Sequence, residues 1–167
     1  LTKPDAAAVE RGLPHLEKHL ENLRRFGVPC VIALNAFVSD TAEEVEVLLR
    51  AQGRLGVRIV RCDHWARGGV GAEALARAVV AEVESGVADF RLLYEDELPL
   101  WDKIKRVATG IYGASEVTAD SKVRAQIKAL QAAGYGRYPV CVAKTQYSFS
   151  TDPPLRGAPS GHVVNIR

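Results

Sequence analysis

The sequence predicts an α/β fold: an open, mainly parallel twisted sheet flanked by helices in the Rossmann-like manner, with an irregular C-terminal edge. Three observations predict it. Stretches with three- and four-residue apolar spacing alternate with short apolar runs of strand length. The run Val28 to Leu34 is continuously apolar, so both of its faces are covered, as in a parallel sheet with helices on either side. Connections between these stretches are short, as consecutive neighbours in such a sheet require.

Each element has its own local signal. Leu13, Leu16, Leu20 and Leu23 recur at helical spacing, and the helix ends near Gly27, where glycine supplies the left-handed closing residue. Val28 to Leu34 is the first strand. Thr41 with Glu44 three residues on forms a capping-box pattern that opens a helix through Val45, Leu48 and Leu49. Val57 to Cys62 is the next strand. Ala72 to Ser85 is rich in Ala, Val and Glu and reads as a helix ended by Gly86. Phe90 to Tyr94 reads as a short strand. Leu98 to Tyr112 is helical, with Pro99 in the first turn and Gly113 at the end. A further helix runs from Asp120 or Ser121 to Ala133 and stops at Gly134. Tyr138 to Ala143 reads as a strand with Pro139 near its start. A loop bearing Pro153, Pro154, Gly157, Pro159 and Gly161 precedes a last strand at Val163, Val164 and Ile166. No internal repeat, low-complexity tract or linker interrupts the order, so residues 1–167 read as a single α/β domain.

Composition narrows the class. The chain has 167 residues, 47% hydrophobic and 25% charged, which excludes disorder, collagen and coiled coil as the main state. A chain this long buries roughly 70% of the surface it would expose unfolded. No apolar run is long enough for a bilayer, and no charged leader with an apolar core opens the chain, so neither membrane nor secretion is expected. The net charge of +2 comes from 22 basic and 20 acidic residues, interspersed, with no electrostatic footprint for nucleic acid. Cys30, Cys62 and Cys141 are odd in number and lie in or at the ends of apolar runs, as reduced thiols in a cytoplasmic protein do. There is no methionine, so the chain is expected to be a piece of something longer.

Chemistry in an open α/β sheet gathers beyond the carboxyl ends of the strands. The first strand runs into Asn35-Ala36-Phe37-Val38-Ser39-Asp40, and the second into Asp63-His64-Trp65-Ala66-Arg67-Gly68-Gly69-Val70-Gly71. If these strands are neighbours, Phe37 and Trp65 face each other across the crevice and form a slot for a flat heteroaromatic ring. Either ring alone is more often a lid on the core, and only their coincidence at successive strand ends brings the two readings level. Gly68, Gly69 and Gly71 offer a nest of backbone N–H groups for an anion, or simply a tight turn. Lys144-Thr145-Gln146-Tyr147-Ser148 is a polar burst that either lines a site or turns the chain. No GxxxxGK[ST] phosphate loop is present, and no GxGxxG follows a strand. Asn35 stands where a guanine-reading loop would begin, but Val38 replaces the Asp such a loop needs. His15 and His19 share a helix face without the HExxH pattern, which favours a solvated face over a metal site. No nucleophile–base constellation can be assembled, so no catalytic residue is assigned.

His15-Leu16-Glu17-Lys18-His19-Leu20-Glu21-Asn22, Phe26-Gly27-Val28-Pro29 and Asn35-Ala36-Phe37 closely resemble the formate–tetrahydrofolate ligases. Trp65-Ala66-Arg67-Gly68-Gly69, Ile111-Tyr112-Gly113-Ala114 and the block from Pro139 through Lys144-Thr145-Gln146-Tyr147-Ser148 to Ser150 follow in the family's order, so the resemblance covers essentially the whole chain.

The resemblance implies an enzyme of one-carbon metabolism that joins formate to tetrahydrofolate with ATP-Mg through formyl phosphate, yielding 10-formyltetrahydrofolate. It implies that a Phe and a Trp grip the pterin ring, and these fall on Phe37 and Trp65, with Asn35, Gly68 and Gly69 as helpers. Val38 stands where many members have proline, which alters one wall. The family's phosphate loop with its GKT sequence, and its formate-binding residues, lie upstream of these 167 residues. The segment therefore corresponds to the folate-binding, middle-to-late α/β part of a longer ligase, without the ATP-binding domain, without a cofactor or metal of its own, and inactive alone. Its expected partners are tetrahydrofolate, the remainder of the ligase chain and, for the full-length cytoplasmic enzyme, further copies in a homotetramer. The competing expectation is a non-catalytic folate-binding module or a structural oligomerisation module.

Overall fold

The computed structural model describes residues 3–143 and 149–167, so Lys144 to Ser148 lies outside the described residues. The chain divides into two compact units, Leu1–Phe90 and Arg91–Arg167.

In the first unit, Asp5 caps α1 (Ala6–Arg25) by accepting the Ala8 N–H at 2.8 Å. Pro14 lies inside this helix. Gly27, at φ 64°, closes it. β1 (Val31–Asn35) follows, then α2 (Ala42–Leu55), β2 (Arg58–Cys62), a one-turn helix α3 (His64–Arg67), a 3-10 turn at Gly68–Ala72, and α4 (Glu73–Glu84). The capping box is formed as its spacing predicts. Thr41 Oγ1 accepts the Glu44 N–H, and Glu44 Oε2 accepts the Thr41 N–H at 2.9 Å. The other Glu44 oxygen accepts the Asp5 N–H at 2.9 Å, so one carboxylate serves the starts of α1 and α2 together. These hydrogen bonds hold its pKa below the ordinary 4.5.

β1 and β2 pair in parallel, with Val31 opposite Arg58 and Asn35 opposite Cys62. Leu13 and Leu20 of α1, Val47, Ala51 and Leu55 of α2, and Ile59 of β2 make one buried cluster, joined by Ile32 and Leu34. α4 packs on the same two strands, burying Ala78.

The second unit contains α5 (Leu100–Gly110), β3 (Glu116–Ala119), α6 (Ser121–Ala132), a 3-10 turn at Tyr135–Arg137 and β4 (Val163–Ile166). β3 and β4 are parallel, with Val117 opposite Val164. Its core gathers Ile104, Ala108, Tyr112, Ala114, Val117, Phe149 and Val164. Lys103 of α5 is completely buried, and its ammonium donates to the carbonyls of Asp96 at 2.7 Å, Gly136 at 2.8 Å and Tyr138 at 3.0 Å. One side chain thus ties three loop segments to α5.

The α/β class and the parallel pairing hold, but among the described residues the strands form two small sheets of two strands each. Two expected strands form no ladder. Phe90 to Tyr94 has no strand beside it, and Phe90 and Leu92 are exposed. Tyr138 to Ala143 has no partner strand among the described residues; at Val140 the Tyr94 hydroxyl takes the place of a ladder, accepting the N–H at 2.9 Å and donating to the carbonyl at 3.4 Å.

Candidate functional site

The in-register pairing of β1 with β2 brings Asn35 and Cys62 level, so the segments that leave these strands emerge side by side. The Ala36 N–H donates to the Cys62 carbonyl at 2.9 Å, carrying the ladder one residue past β1. The Ala36 carbonyl then accepts the Trp65 indole N–H at 2.7 Å. Phe37 is held by Asp40, whose carboxylate accepts the Phe37 N–H at 2.7 Å while its own N–H donates to the Phe37 carbonyl at 3.1 Å.

The result is two rings in near-parallel array. The Phe37 and Trp65 centroids stand 6.4 Å apart with 23° between the planes. Both side chains are open to solvent, Phe37 at 59% and Trp65 at 54% exposure. Neither is a lid over the core. A flat ring in carbon contact with both faces needs about 7 Å between them, twice the roughly 3.5 Å contact distance. The 6.4 Å between the centroids is within about an ångström of this, and a small turn of the exposed Phe37 side chain adjusts it.

The Trp65 loop is closed at its base. The Asp63 N–H donates to the Gly71 carbonyl at 3.2 Å, the Ala66 and Arg67 N–H groups return to the Asp63 carbonyl, and Arg67 pairs with the Asp63 carboxylate at 3.5 Å. Gly71 is buried against this base, and a Cβ there would lie 2.6 Å from Asp63 Oδ1 and 2.7 Å from the Asp63 carbonyl carbon. Gly68 turns the chain at φ 58° and donates its N–H to the His64 carbonyl, so this amide is committed to the turn rather than to an anion nest. A Cβ at Gly68 or Gly69 would meet no atom within 4 Å. Asn35 is exposed at the end of the ladder.

The sequence patterns did not single out the contact between Cys62 and His64, whose Sγ and Nδ1 lie 3.1 Å apart beneath the Trp65 loop. The only local signal is a His two residues after a strand-ending Cys. On α1, His15 and His19 approach through their Nε2 atoms at 3.1 Å. Among the described residues, no three His, Cys, Asp or Glu side chains gather as a metal site would require. No helix among them is long and apolar enough to cross a membrane.

The family model for formate–tetrahydrofolate ligase matches residues 1–167. The chain is 52% identical over its whole length to a formate–tetrahydrofolate ligase of Granulibacter bethesdensis, and 53% identical over 98% of its length to one of Rhizobium etli. A Sphingobium ligase is 52% identical over 96% of the chain. In each case the match covers 29% of the relative's length. With its full length matched by the family model and more than half of its residues shared with these enzymes, the chain belongs to the formate–tetrahydrofolate ligase family.

Proposed function

We propose that these residues are the tetrahydrofolate-binding part of an ATP-dependent ligase that makes 10-formyltetrahydrofolate from formate through formyl phosphate. Phe37 and Trp65 hold the pterin between their faces, and the single observation that carries this role is their exposed, near-parallel array at 6.4 Å. Stacking of this kind contributes about 1–3 kcal/mol per ring. Asn35, exposed at the end of β1 two residues before Phe37, offers its amide to the edge of a bound heterocycle, and the open Gly68–Gly69 turn lets the ligand approach the backbone.

The clamp positions the folate amine; the activated formyl group is delivered by the rest of the ligase, where ATP-Mg is bound. Proximity of two reactants is worth about 7–11 kcal/mol of barrier, so residues 1–167 alone do not catalyse. The whole enzyme works in the cytoplasm, where the free Cys30, Cys62 and Cys141 stay reduced, and assembles as a homotetramer.

Trp65 emission tests the clamp. In a Trp101→Phe background, tetrahydrofolate quenches the remaining indole, and Phe37→Ala weakens binding about 5- to 150-fold, equivalent to losing one stacked face. Absence of quenching at millimolar ligand, after inner-filter correction, refutes the assignment.

A further inference from the structure

α1 turns Leu13 and Leu20 into the core of its unit. At about 100° per residue, His15 and His19 lie roughly 130° around the axis from that stripe. One turn apart, they are neighbours on the helix surface. Their Nε2 atoms are 3.1 Å apart and their ring centroids 4.7 Å apart, with 75° between the planes. A straight N–H···N hydrogen bond of that length would hold two imidazole centroids about 5.4 Å apart. Each ring axis is therefore swung off the line that joins the nitrogens. Two imidazole nitrogens 3.1 Å apart that share one ion at about 2.05 Å subtend about 98° at it, between the octahedral and tetrahedral angles, and place their centroids about 4.8 Å apart. The 4.7 Å of this pair agrees with the shared ion and not with the straight hydrogen bond.

We infer that His15 and His19 chelate one divalent cation of the late first row, Zn²⁺ in chemistry, through their Nε2 atoms. Residue order alone favoured a solvated face, because HExxH is missing; a chelate needs only the four-residue interval, and the ring geometry supplies what the pattern lacked. Imidazole nitrogens suit such ions, whereas Mg²⁺ takes oxygen ligands. The basic residues nearest the pair along α1 are each drawn to an acid, Arg11 to Asp5 at 3.5 Å and Lys18 to Glu21 at 3.1 Å, which offsets their repulsion of a cation. Two protein nitrogens leave the other coordination positions to water, so the ion exchanges and is held more weakly than in a four-ligand structural site. Bound there, it bridges adjacent turns and favours the helix that carries Leu13 and Leu20 into the core. The inference concerns α1 alone and does not depend on the folate clamp.

The test uses the full-length protein containing these residues. Zn²⁺ binding is measured by competition with a chromophoric chelator, in millimolar Mg²⁺, for the parent, His15→Gln and His19→Gln. Each single change is expected to weaken one Zn²⁺ equivalent at least about tenfold, because the lost nitrogen takes with it the effective concentration it gave the other. Two histidines acting independently would keep the parent affinity and lose only stoichiometry, which overturns the chelate. Unchanged Zn²⁺ binding in both variants overturns it too, as does displacement of the ion by Mg²⁺. Should one variant fail to fold, the other decides alone. Should both fail, the parent is treated with diethyl pyrocarbonate and the two histidine peptides are followed by mass spectrometry. Zn²⁺ is expected to slow carbethoxylation of His15 and His19 together at least about tenfold, and unchanged rates overturn the site.

Discussion

Replacing Lys103 with methionine keeps the length and most of the packing of the side chain while removing three donors. The carbonyls of Asp96, Gly136 and Tyr138 then lose their partner, the Gly136 carbonyl in a buried contact and the other two in part-buried ones. Hydrogen bonds to a charged group contribute about 1.5–3 kcal/mol each, so the three amount to roughly 4.5–9 kcal/mol. Against this stands the several kcal/mol by which burying an ammonium disfavours folding, a cost that methionine removes. The net loss expected for Lys103→Met is about 3 kcal/mol, more than a hundredfold in the folding equilibrium. Trp101 reports on the second unit, since it packs against that unit's core and under the Arg124 guanidinium at 3.6 Å. Urea titration in a Trp65→Phe background therefore isolates the transition. With a slope near 1 kcal/mol per molar urea for a unit of this size, the midpoint falls by about 3 M, or the unit is unfolded in water. A midpoint within about 0.5 M of the parent would show that desolvation cancels the hydrogen bonds, and the role given to Lys103 would be wrong.

Gly71→Ala drives a Cβ into the Asp63 backbone, destabilising the protein by about 1–3 kcal/mol and weakening tetrahydrofolate quenching of Trp65, whereas Gly53→Ala on α2, where a Cβ meets open space, costs neither stability nor quenching. Equal effects of the two, by melting and by fluorescence, would refute the idea that the base of the loop sets the ring. Glu44 has a folded-state pKa below its unfolded value, first through the Asp5 N–H and then through Thr41. Its contribution is therefore complete above the ordinary pKa of 4.5 and disappears as pH falls through the folded value. The melting temperatures of parent and Glu44→Ala should differ at neutral pH and converge in acid; a gap constant across that range contradicts the linkage. The Phe37→Ala measurement described above completes the set.

What could be read from residue order was what depends on near neighbours. The capping box at Thr41 and Glu44 is a four-residue device, and it forms as written. The rings were legible because each lies a few residues past an apolar run, and the in-register pairing at Asn35 and Cys62 supplies the adjacency that the sequence could only suppose. Signals failed where a distant group intervened. Tyr138 to Ala143 has strand composition, but the Tyr94 hydroxyl satisfies Val140 in place of a ladder. β3 passed unnoticed because Glu116–Ala119 is four residues long and owes its pairing to β4, some forty residues onward. The turns between Asp63 and Glu73 looked like open loop, since glycine-rich sequence does not advertise the Asp63–Gly71 closure. Nothing local marks Lys103 as buried, because all three of its acceptors belong to other segments.

The backbone ladder below the rings sets how they line up along the strands. Successive rungs of a parallel pair are about 3.3 Å apart along the strand, so a slip of one rung would shift one jaw past the other by half of the 6.4 Å that separates them. Lateral alignment of the rings is consequently inherited from the sheet, while the gap between them follows the torsions of two exposed side chains.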